Sequence, residues 1–166
     1  GGLGERRRED HDLSELVAGV VRDAGFEAAP RGREIRFSSP GPRGFTGLPD
    51  LLRSAFENVV RNAVLHTPPE TTVEVELQPA EGGVEVVVRD RGPGVADADL
   101  EKIFEPFHRV EEARERASGG IGLGLAIARR AIAAHGGTLR ARARSGGGLE
   151  VVAFLPITDV QPAEVT

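Results

Sequence analysis

The sequence predicts an α+β domain built as a two-layer α/β sandwich, in which three helices cover one face of a mixed, mostly antiparallel sheet. Two observations lead to this prediction. Three long segments space apolar residues three and four positions apart, as one face of a helix requires, whereas other segments alternate apolar and polar residues, as strands do. Short glycine-containing turns join two pairs of the alternating segments, which indicates antiparallel hairpins.

Length and composition limit the class of protein. A chain of 166 residues fits one domain, since a chain of this size buries roughly two thirds of its unfolded surface. The net charge of -5 makes nucleic-acid binding unexpected. The absence of cysteine excludes disulfides and thiolate metal sites. No apolar run approaches the ~20 residues of a membrane span, so we expect a soluble domain without direct membrane contact.

Both ends of the chain are expected to lie outside the folded domain. Residues 1–11 open with GGLGERRRED and hold no methionine, so they are predicted to be disordered, a tag remnant or a linker from a preceding domain. The domain is expected to span residues 12–156. Residues 157–166 are predicted to be a frayed tail.

Four segments are predicted to be helical. Asp12 is a suitable N-cap for the first, and Pro49 suits the first turn of the second. Gly136 and Gly137 follow the last, as is typical of a helix end. The predicted ranges are 12–24, 49–65, 98–104 and 123–135.

Alternating segments predict the strands. The turn AEGG joins the central pair, and SGGG joins the last pair. A short strand is also expected around Phe45, within a turn-rich stretch. The other predicted ranges are 32–39, 72–78, 84–90, 138–144 and 149–155.

Asp90 ends a β-branched run, and Gly92 and Gly94 follow it. A carboxylate at a strand end beside such backbone suits the floor of a pocket, although Asp before glycine is also common as a turn cap. About thirty residues on, several glycines precede a helical pattern, which places free backbone N–H groups and the positive end of a helix dipole at one spot. Together these features suggest a nucleotide, with its base at Asp90 and its phosphates at Gly119, Gly120, Gly122 and Gly124.

Other glycine-loop proteins do not fit. The single lysine, Lys102, is followed by Ile103, so no Walker A loop is present. A Rossmann fingerprint places its glycines directly after a strand, whereas the polar stretch 111–118 comes first here. A Ser/Thr/Tyr kinase needs a strand lysine and a His-Arg-Asp loop, and the chain has neither.

Asn58 and Asn62 lie four residues apart and share one face of the second helix. Asparagine is a poor residue inside a helix, so two in register favour a function, although solvated surface amides are the alternative. An amide oxygen suits Mg²⁺, which takes oxygen ligands together with substrate phosphates.

Four motifs in order carry a resemblance: FENVVRNA at 56–63, DRGPG at 90–94, IFEPF at 103–107 and GGIGLGLAI at 119–127. The chain resembles the catalytic ATP-binding domain of bacterial two-component sensor histidine kinases. Its motif sequences are most similar to those of the Cpx type of envelope-stress sensor. The resemblance covers about residues 12–156. It implies the Bergerat fold, with ATP and Mg²⁺ as cofactors.

The resemblance also implies roles for particular residues. Asn62 would ligate Mg²⁺ with support from Asn58, Asp90 would accept a hydrogen bond from the adenine amine, and Arg109 would join Asn58 and Asn62 as a catalytic group. The nucleotide-binding set is expected to be Asn58, Asn62, His66, Asp90, Gly92, Gly94, Ile103, Phe107, Arg109, Arg116, Gly120, Ile121, Gly122, Leu123, Gly124 and Leu125.

Residues 106–119 are predicted to form a lid over the phosphates, with Phe104 and Phe107 anchoring its base or simply lying in the core. Arg109 is the first candidate for a phosphate contact and Arg116 the second, although a charge run is often only solvated. Where the family has a basic residue and then a tyrosine, this chain has Leu65 and His66. His66 either contacts a phosphate or faces its helix dipole.

The expected reaction is transfer of the ATP γ-phosphate to a histidine on a separate dimerisation domain, which then supplies a response regulator. Asn58 cannot act as a base, which argues against an ATPase; a regulatory nucleotide-binding module is the other alternative. No histidine here sits in the family's phosphoacceptor motif, and His11 is the nearest imitation. The parent protein is expected to be a homodimer in the inner membrane, with this domain in the cytoplasm.

Overall fold

The structure is a computed structural model that describes residues 7–108 and 123–157. Its helices and strands lie in these ranges, and helices alternate along the chain with one or two strands. Three short 3-10 helices connect them, at Ala29–Arg31, Asp97–Asp99 and Lys102–Phe104. In chain order the elements are β1 Glu9–Asp12, α1 Leu13–Ala28, β2 Glu34–Ser38, β3 Gly44–Gly47, α2 Pro49–His66, β4 Thr72–Ala80, β5 Gly83–Arg89, α3 Gly124–Ala133, β6 Thr138–Ala143 and β7 Leu149–Pro156.

The main sheet has five strands in the order β2-β4-β5-β7-β6. Only β2 and β4 run parallel, and the other three pairings are antiparallel. This confirms the predicted mixed, mostly antiparallel sheet. The register places Val75 opposite Val88 and Val88 opposite Val151, so apolar residues of neighbouring strands share one face.

The two faces of the sheet differ in character. Val75, Val88 and Val151 belong to one core cluster with buried residues of the three α-helices that the structure describes, so these helices cover this face as predicted. The opposite face carries ion pairs, since Arg89 bridges Glu76 at 2.8 Å and Glu150 at 2.9 Å across three strands, and these lie around the buried pair Val87 and Val152. Period-2 alternation therefore separates a helix-covered core from an outer face with ion pairs.

Helix α1 begins where the sequence predicts. The Oδ1 atom of Asp12 accepts hydrogen bonds from the backbone N–H of Ser14 at 2.9 Å and from that of Glu15 at 3.4 Å, as an N-cap does. The helix extends to Ala28 instead of ending at residue 24. Ala28 is fully buried, so its packing against the core holds the extra turn.

Two local predictions are wrong. Residues 9–11, expected to be disordered or a linker, instead form β1 with Asp12 and pair antiparallel with β3. The range 98–104, predicted to be one helix, contains two 3-10 helices whose hydrogen bonds span three residues, such as Glu105 N–H to the Lys102 carbonyl at 3.0 Å. A segment this short gains too few α-helical hydrogen bonds to offset nucleation.

Candidate functional site

Asp90 follows β5 and is almost fully buried, with a relative exposure of 3%. Its Oδ1 atom accepts hydrogen bonds from the backbone N–H of Gly92 at 2.8 Å and of Leu149 at 3.2 Å. In the described residues no hydrogen bond reaches its Oδ2 atom. This oxygen is therefore available to a ligand that donates a hydrogen bond.

Burial sets the ionisation of Asp90. Desolvation raises the pKa of its carboxyl group, and this effect outweighs the opposing ones. The N–H groups of Gly92 and Leu149 lower the pKa, as do the nearby charges of His66 and Arg144. The site thus holds a carboxylate whose remaining hydrogen-bonding capacity is not met by the described residues.

Gly92 brings the end of α2 against the Asp90 loop. A Cβ atom at this position would lie only 2.6 Å from the His66 carbonyl oxygen, so no larger residue fits without moving backbone. Gly94 has φ +76°, a conformation that L side chains rarely adopt, and it packs 3.4 Å from the Gly148 carbonyl oxygen by the same measure. Both glycines predicted for the site therefore have structural reasons to be glycine.

Thr67 is a contact that the sequence analysis missed. It is fully buried directly after α2, and its Oγ1 accepts a hydrogen bond from the Arg91 N–H at 3.1 Å. Oγ1 also lies 2.7 Å from the Thr71 hydroxyl oxygen. The hydrogen bond from the Arg91 N–H therefore links the end of α2 to the residue after Asp90. A threonine followed by two prolines at a helix end is typical of an ordinary turn, so no sequence pattern indicated that Thr67 belongs to the site.

Asn58, Asn62 and His66 form a row along α2, each half-buried and one turn apart. The Nδ2 of Asn58 donates to the Ser54 carbonyl at 2.9 Å. In the part of the chain that the structure describes, Asn62 makes no side-chain hydrogen bond, so its amide oxygen can accept a ligand. His66 lies beside Asp90, whose carboxylate it influences electrostatically.

The start of α3 lies against this row. A Cβ atom on Gly124 would be 3.1 Å from Oδ1 of Asn58. Leu123 occupies the N-cap position of α3 but makes no side-chain capping bond, which leaves the first N–H groups to other partners. The first turn of α3 and the Asn58 amide of α2 are therefore neighbours.

Other predicted residues lie elsewhere. Leu125 and Phe104 are buried in the core, and Ile103 packs against it, so these side chains serve packing. Phe107 is 66% exposed with φ 64°, so the expectation that it anchors the lid base is wrong for this structure. Phe104 does anchor the segment, because Arg129 of α3 lies 5.1 Å over its ring. Outside the described residues lie Arg109, Arg116, Gly120, Ile121, Gly122 and most of the predicted lid.

A metal site made only of protein side chains is not found: within the described ranges, no cluster of three or more His, Cys, Asp or Glu residues could hold an ion. The free amide oxygen of Asn62 is a hard donor that fits Mg²⁺ only as one ligand beside phosphates and water. Among the described residues, no helix combines the length and apolar character needed to cross a membrane.

These features define a nucleotide-binding α/β sandwich, in which a buried carboxylate lies at a strand end beside the end of α2, and the start of α3 lies against the Asn58 amide. The family profile described as "Histidine kinase-, DNA gyrase B-, and HSP90-like ATPase" matches residues 47–159. The chain belongs to this family of ATP-binding domains.

Sensor histidine kinases are among its relatives. The chain is 43% identical over 145 residues to the sensor histidine kinase CpxA of Escherichia coli K12. The matched region covers 87% of this chain and 31% of that protein. The mycobacterial sensor histidine kinase MprB has a similar structure, with TM-score 0.78, 28% identity and coverage of 90% of this chain and 97% of that one. Full-length ShkA in complex with AMPPNP also matches, with TM-score 0.77, 30% identity and coverage of 91% and 31%.

Proposed function

We propose that this domain binds ATP with Mg²⁺ and donates the γ-phosphate to a histidine on a separate dimerisation and phosphoacceptor domain. The observation that carries the proposal is the buried Asp90 carboxylate beside the end of α2, whose Oδ2 receives no hydrogen bond from the described residues, in a chain 43% identical to a sensor histidine kinase. The chain spans about a third of the length of the curated kinases it matches, so the other parts of the reaction belong to a longer protein.

Each end of the nucleotide has its own partner in this proposal. An ionised Asp90 accepts from the exocyclic amine of adenine, because a carboxylate is an acceptor only. Asn62 holds the metal with support from Asn58, while His66, the start of α3, Arg109 and Arg116 face the phosphates. Bound Mg²⁺ would neutralise charge on the phosphates. Positioning by these residues suffices, since phosphoryl transfer passes through a loose transition state.

Phosphoryl transfer is favoured over hydrolysis because Asn58, the residue one turn before the candidate metal ligand Asn62, is not a general base. Asn58 is not titratable, and its Nδ2 already donates to the Ser54 carbonyl. Glu57 is adjacent in sequence, but one residue rotates it about 100° around the helix, away from the row. A neutral histidine acceptor needs no base, since it is nucleophilic near pH 7.

The test uses ATP labelled at the γ-phosphate, with this domain alone and with the parent protein's dimerisation domain added. We expect ATP binding without self-labelling, and label on the dimerisation domain that acid removes and base does not. Asn62→Ala should abolish transfer and the Mg²⁺ dependence of ATP binding. Binding without transfer would instead support a regulatory module, and steady phosphate release would support an ATPase. Acid-labile label on this chain that His11→Gln removes would also contradict the proposal.

The wider assignment follows from the same proposal. The parent kinase would be a homodimer in the inner membrane, with this domain in the cytoplasm, and the phosphohistidine would pass its phosphoryl group to a response regulator. Crosslinking and phosphotransfer assays on the full-length kinase, with its regulator, test these partners.

A further inference from the structure

Arg144, the residue after β6, has a nearly buried side chain with a relative exposure of 9%. Its Nη1 donates to the backbone carbonyl of Asp90 at 3.1 Å, and its Nη2 donates to Oε2 of Glu74 at 3.1 Å. One guanidinium thus joins the β6–β7 turn to the end of β5 and to β4. It contacts the backbone of the residue that carries the candidate base-binding carboxylate.

The rest of the β6–β7 turn also packs against Asp90. Gly148 has φ +109°, and a Cβ atom there would lie 2.1 Å from the Asp90 carbonyl oxygen, so only glycine permits this approach. Leu149 exchanges two hydrogen bonds with Asp90, one to Oδ1 and one from the Asp90 N–H to its own carbonyl at 3.0 Å. The position of Asp90 therefore depends on this turn. Arg144 is the residue of the turn that places a positive charge near the Asp90 carboxyl group.

We propose that Arg144 is a positioning residue for base recognition: it fixes the Asp90 backbone, and thereby the free Oδ2 oxygen, while Glu74 aligns its guanidinium. The proposal rests on the proposed function, in which Asp90 binds adenine. In this proposal Arg144 does not contact the nucleotide itself. Its guanidinium donates to the Asp90 backbone and to Glu74, at the ends of the strands.

Charge gives this contact a second effect that packing alone would not produce. The groups that face Asp90 with charge are Arg144 from the β6–β7 turn and His66 from α2, and both favour the carboxylate. Glu74, which accepts from Arg144, offsets part of the arginine charge. Removing the arginine charge should therefore move the acid limb of ATP binding to higher pH, because Asp90 would protonate more readily.

Arg142 provides a matched control. It precedes Arg144 by two residues on the same face of the sheet and pairs with Glu150. It makes no hydrogen bond to Asp90 among the described residues. Arg142→Gln removes the same charge and a similar ion pair without touching the site.

The experiment is calorimetric titration of ATP with Mg²⁺ into each protein over a pH series, with urea unfolding to confirm the fold. We expect Arg144→Gln to weaken ATP by about tenfold at neutral pH, to reduce the preference for ATP over GTP and to raise the midpoint of the acid limb. Arg142→Gln should match wild type. Arg144→Lys keeps the charge without the two-pronged geometry, so it should lose affinity but retain the wild-type midpoint.

Two outcomes separate this proposal from the proposed function. If wild type binds ATP and every folded Arg144 variant matches Arg142→Gln in affinity and midpoint, Arg144 is only structural. If wild type does not bind ATP, the proposed function fails. If Asp90→Asn binds ATP unchanged, Asp90 does not recognise the base, and the positioning role of Arg144 falls with it. Should Arg144→Gln not fold, Glu74→Ala, which removes the acceptor of the Arg144 Nη2 atom, and Arg144→Lys give the same comparison; wild-type affinity in both would overturn the positioning role.

Discussion

At the residue scale, the site is built from polar groups whose hydrogen bonds are only partly met inside the protein. Asp90 shares one carboxylate oxygen between two backbone N–H groups, and no described residue donates to the other. Burying an ionised carboxylate in this way costs stability, because its lost hydration is not fully replaced. The binding group is therefore also a local weakness of the fold.

Asp90→Asn should separate these two roles. The asparagine Oδ1 can still accept from Gly92 and Leu149, but a donor replaces Oδ2, so we expect ATP to bind at least about tenfold more weakly and GTP to gain relative to ATP. Folding should not suffer at pH 7. The folded-state pKa of Asp90 is raised, so its ionised form costs stability above that pKa, and the stability advantage of asparagine should vanish as pH falls through it.

Calorimetry with both nucleotides and urea titrations from pH 7 to pH 4 measure these effects. An unchanged ATP-to-GTP ratio would make Asp90 a turn residue only.

Thr67→Val tests the other support of the Asp90 loop. Valine keeps the shape but removes the acceptor of the Arg91 N–H, and a buried unpaired donor costs about 1–3 kcal/mol of unfolding free energy. Thr67→Ser keeps the hydroxyl and should lose clearly less. A loss confined to Thr67→Ser in urea unfolding would show that the methyl group, not the hydrogen bond, matters.

At the element scale, function depends on how closely α2 and α3 approach. Gly124→Ala places a methyl group 3.1 Å from Oδ1 of Asn58, so the amide must shift by a few tenths of an ångström. We expect this to weaken ATP–Mg²⁺ binding severalfold with little loss of stability. Gly25→Ala in α1 is the control, since nothing lies within 4 Å of its Cβ position and alanine favours a helix by up to about 1 kcal/mol. Wild-type binding by Gly124→Ala, read by calorimetry, would exclude the contact from the site.

The segment before the predicted lid makes a second element-scale prediction. Phe104 is buried beneath Arg129, whereas Phe107 is largely exposed. Phe104→Ala should lower the unfolding free energy by about 3–5 kcal/mol, and Phe107→Ala by less than about 0.5 kcal/mol. Urea unfolding of the two variants decides this, and a large loss at Phe107 would show that it packs in solution.

At the scale of the whole molecule, His135 joins the helical layer to the start of α2. Its Nε2 accepts from the Leu48 N–H at 3.0 Å, so its Nδ1 carries the proton and donates to the Ala131 carbonyl at 2.8 Å. Burial lowers the pKa of this imidazole, and the nearby Arg8 charge lowers it further. A neutral histidine is therefore part of the folded state.

Acid should weaken the fold through this group. A lowered folded-state pKa means that the unfolded chain binds the proton more readily, so the stabilising contribution is present above about pH 6.5 and is lost below it. His135→Gln should be less stable than wild type at pH 8, and the difference should shrink towards pH 5. The other histidines occur in both proteins and cancel. Urea unfolding across this range is the measurement, and a constant difference would contradict it.

The sequence by itself determined the features that repeat locally. Periods of two and 3.6 residues predicted the five strands of the main sheet and the three α-helices, and the spacing of Asn58 and Asn62 predicted their shared face. Asp90 was recognisable because a carboxylate at a strand end before Gly92 is a local pattern. These predictions needed only the geometry of one element.

The tertiary structure decided the contacts between elements. The parallel pairing of β2 with β4 and the pairing of β1 with β3 join segments far apart in the chain. Thr67 contacts Arg91 from 24 residues away, and Arg144 contacts Asp90 from 54 residues away. A lone threonine or arginine in sequence has many equivalent partners. Only the packed sheet and helix ends, where buried polar groups must be paired, select one.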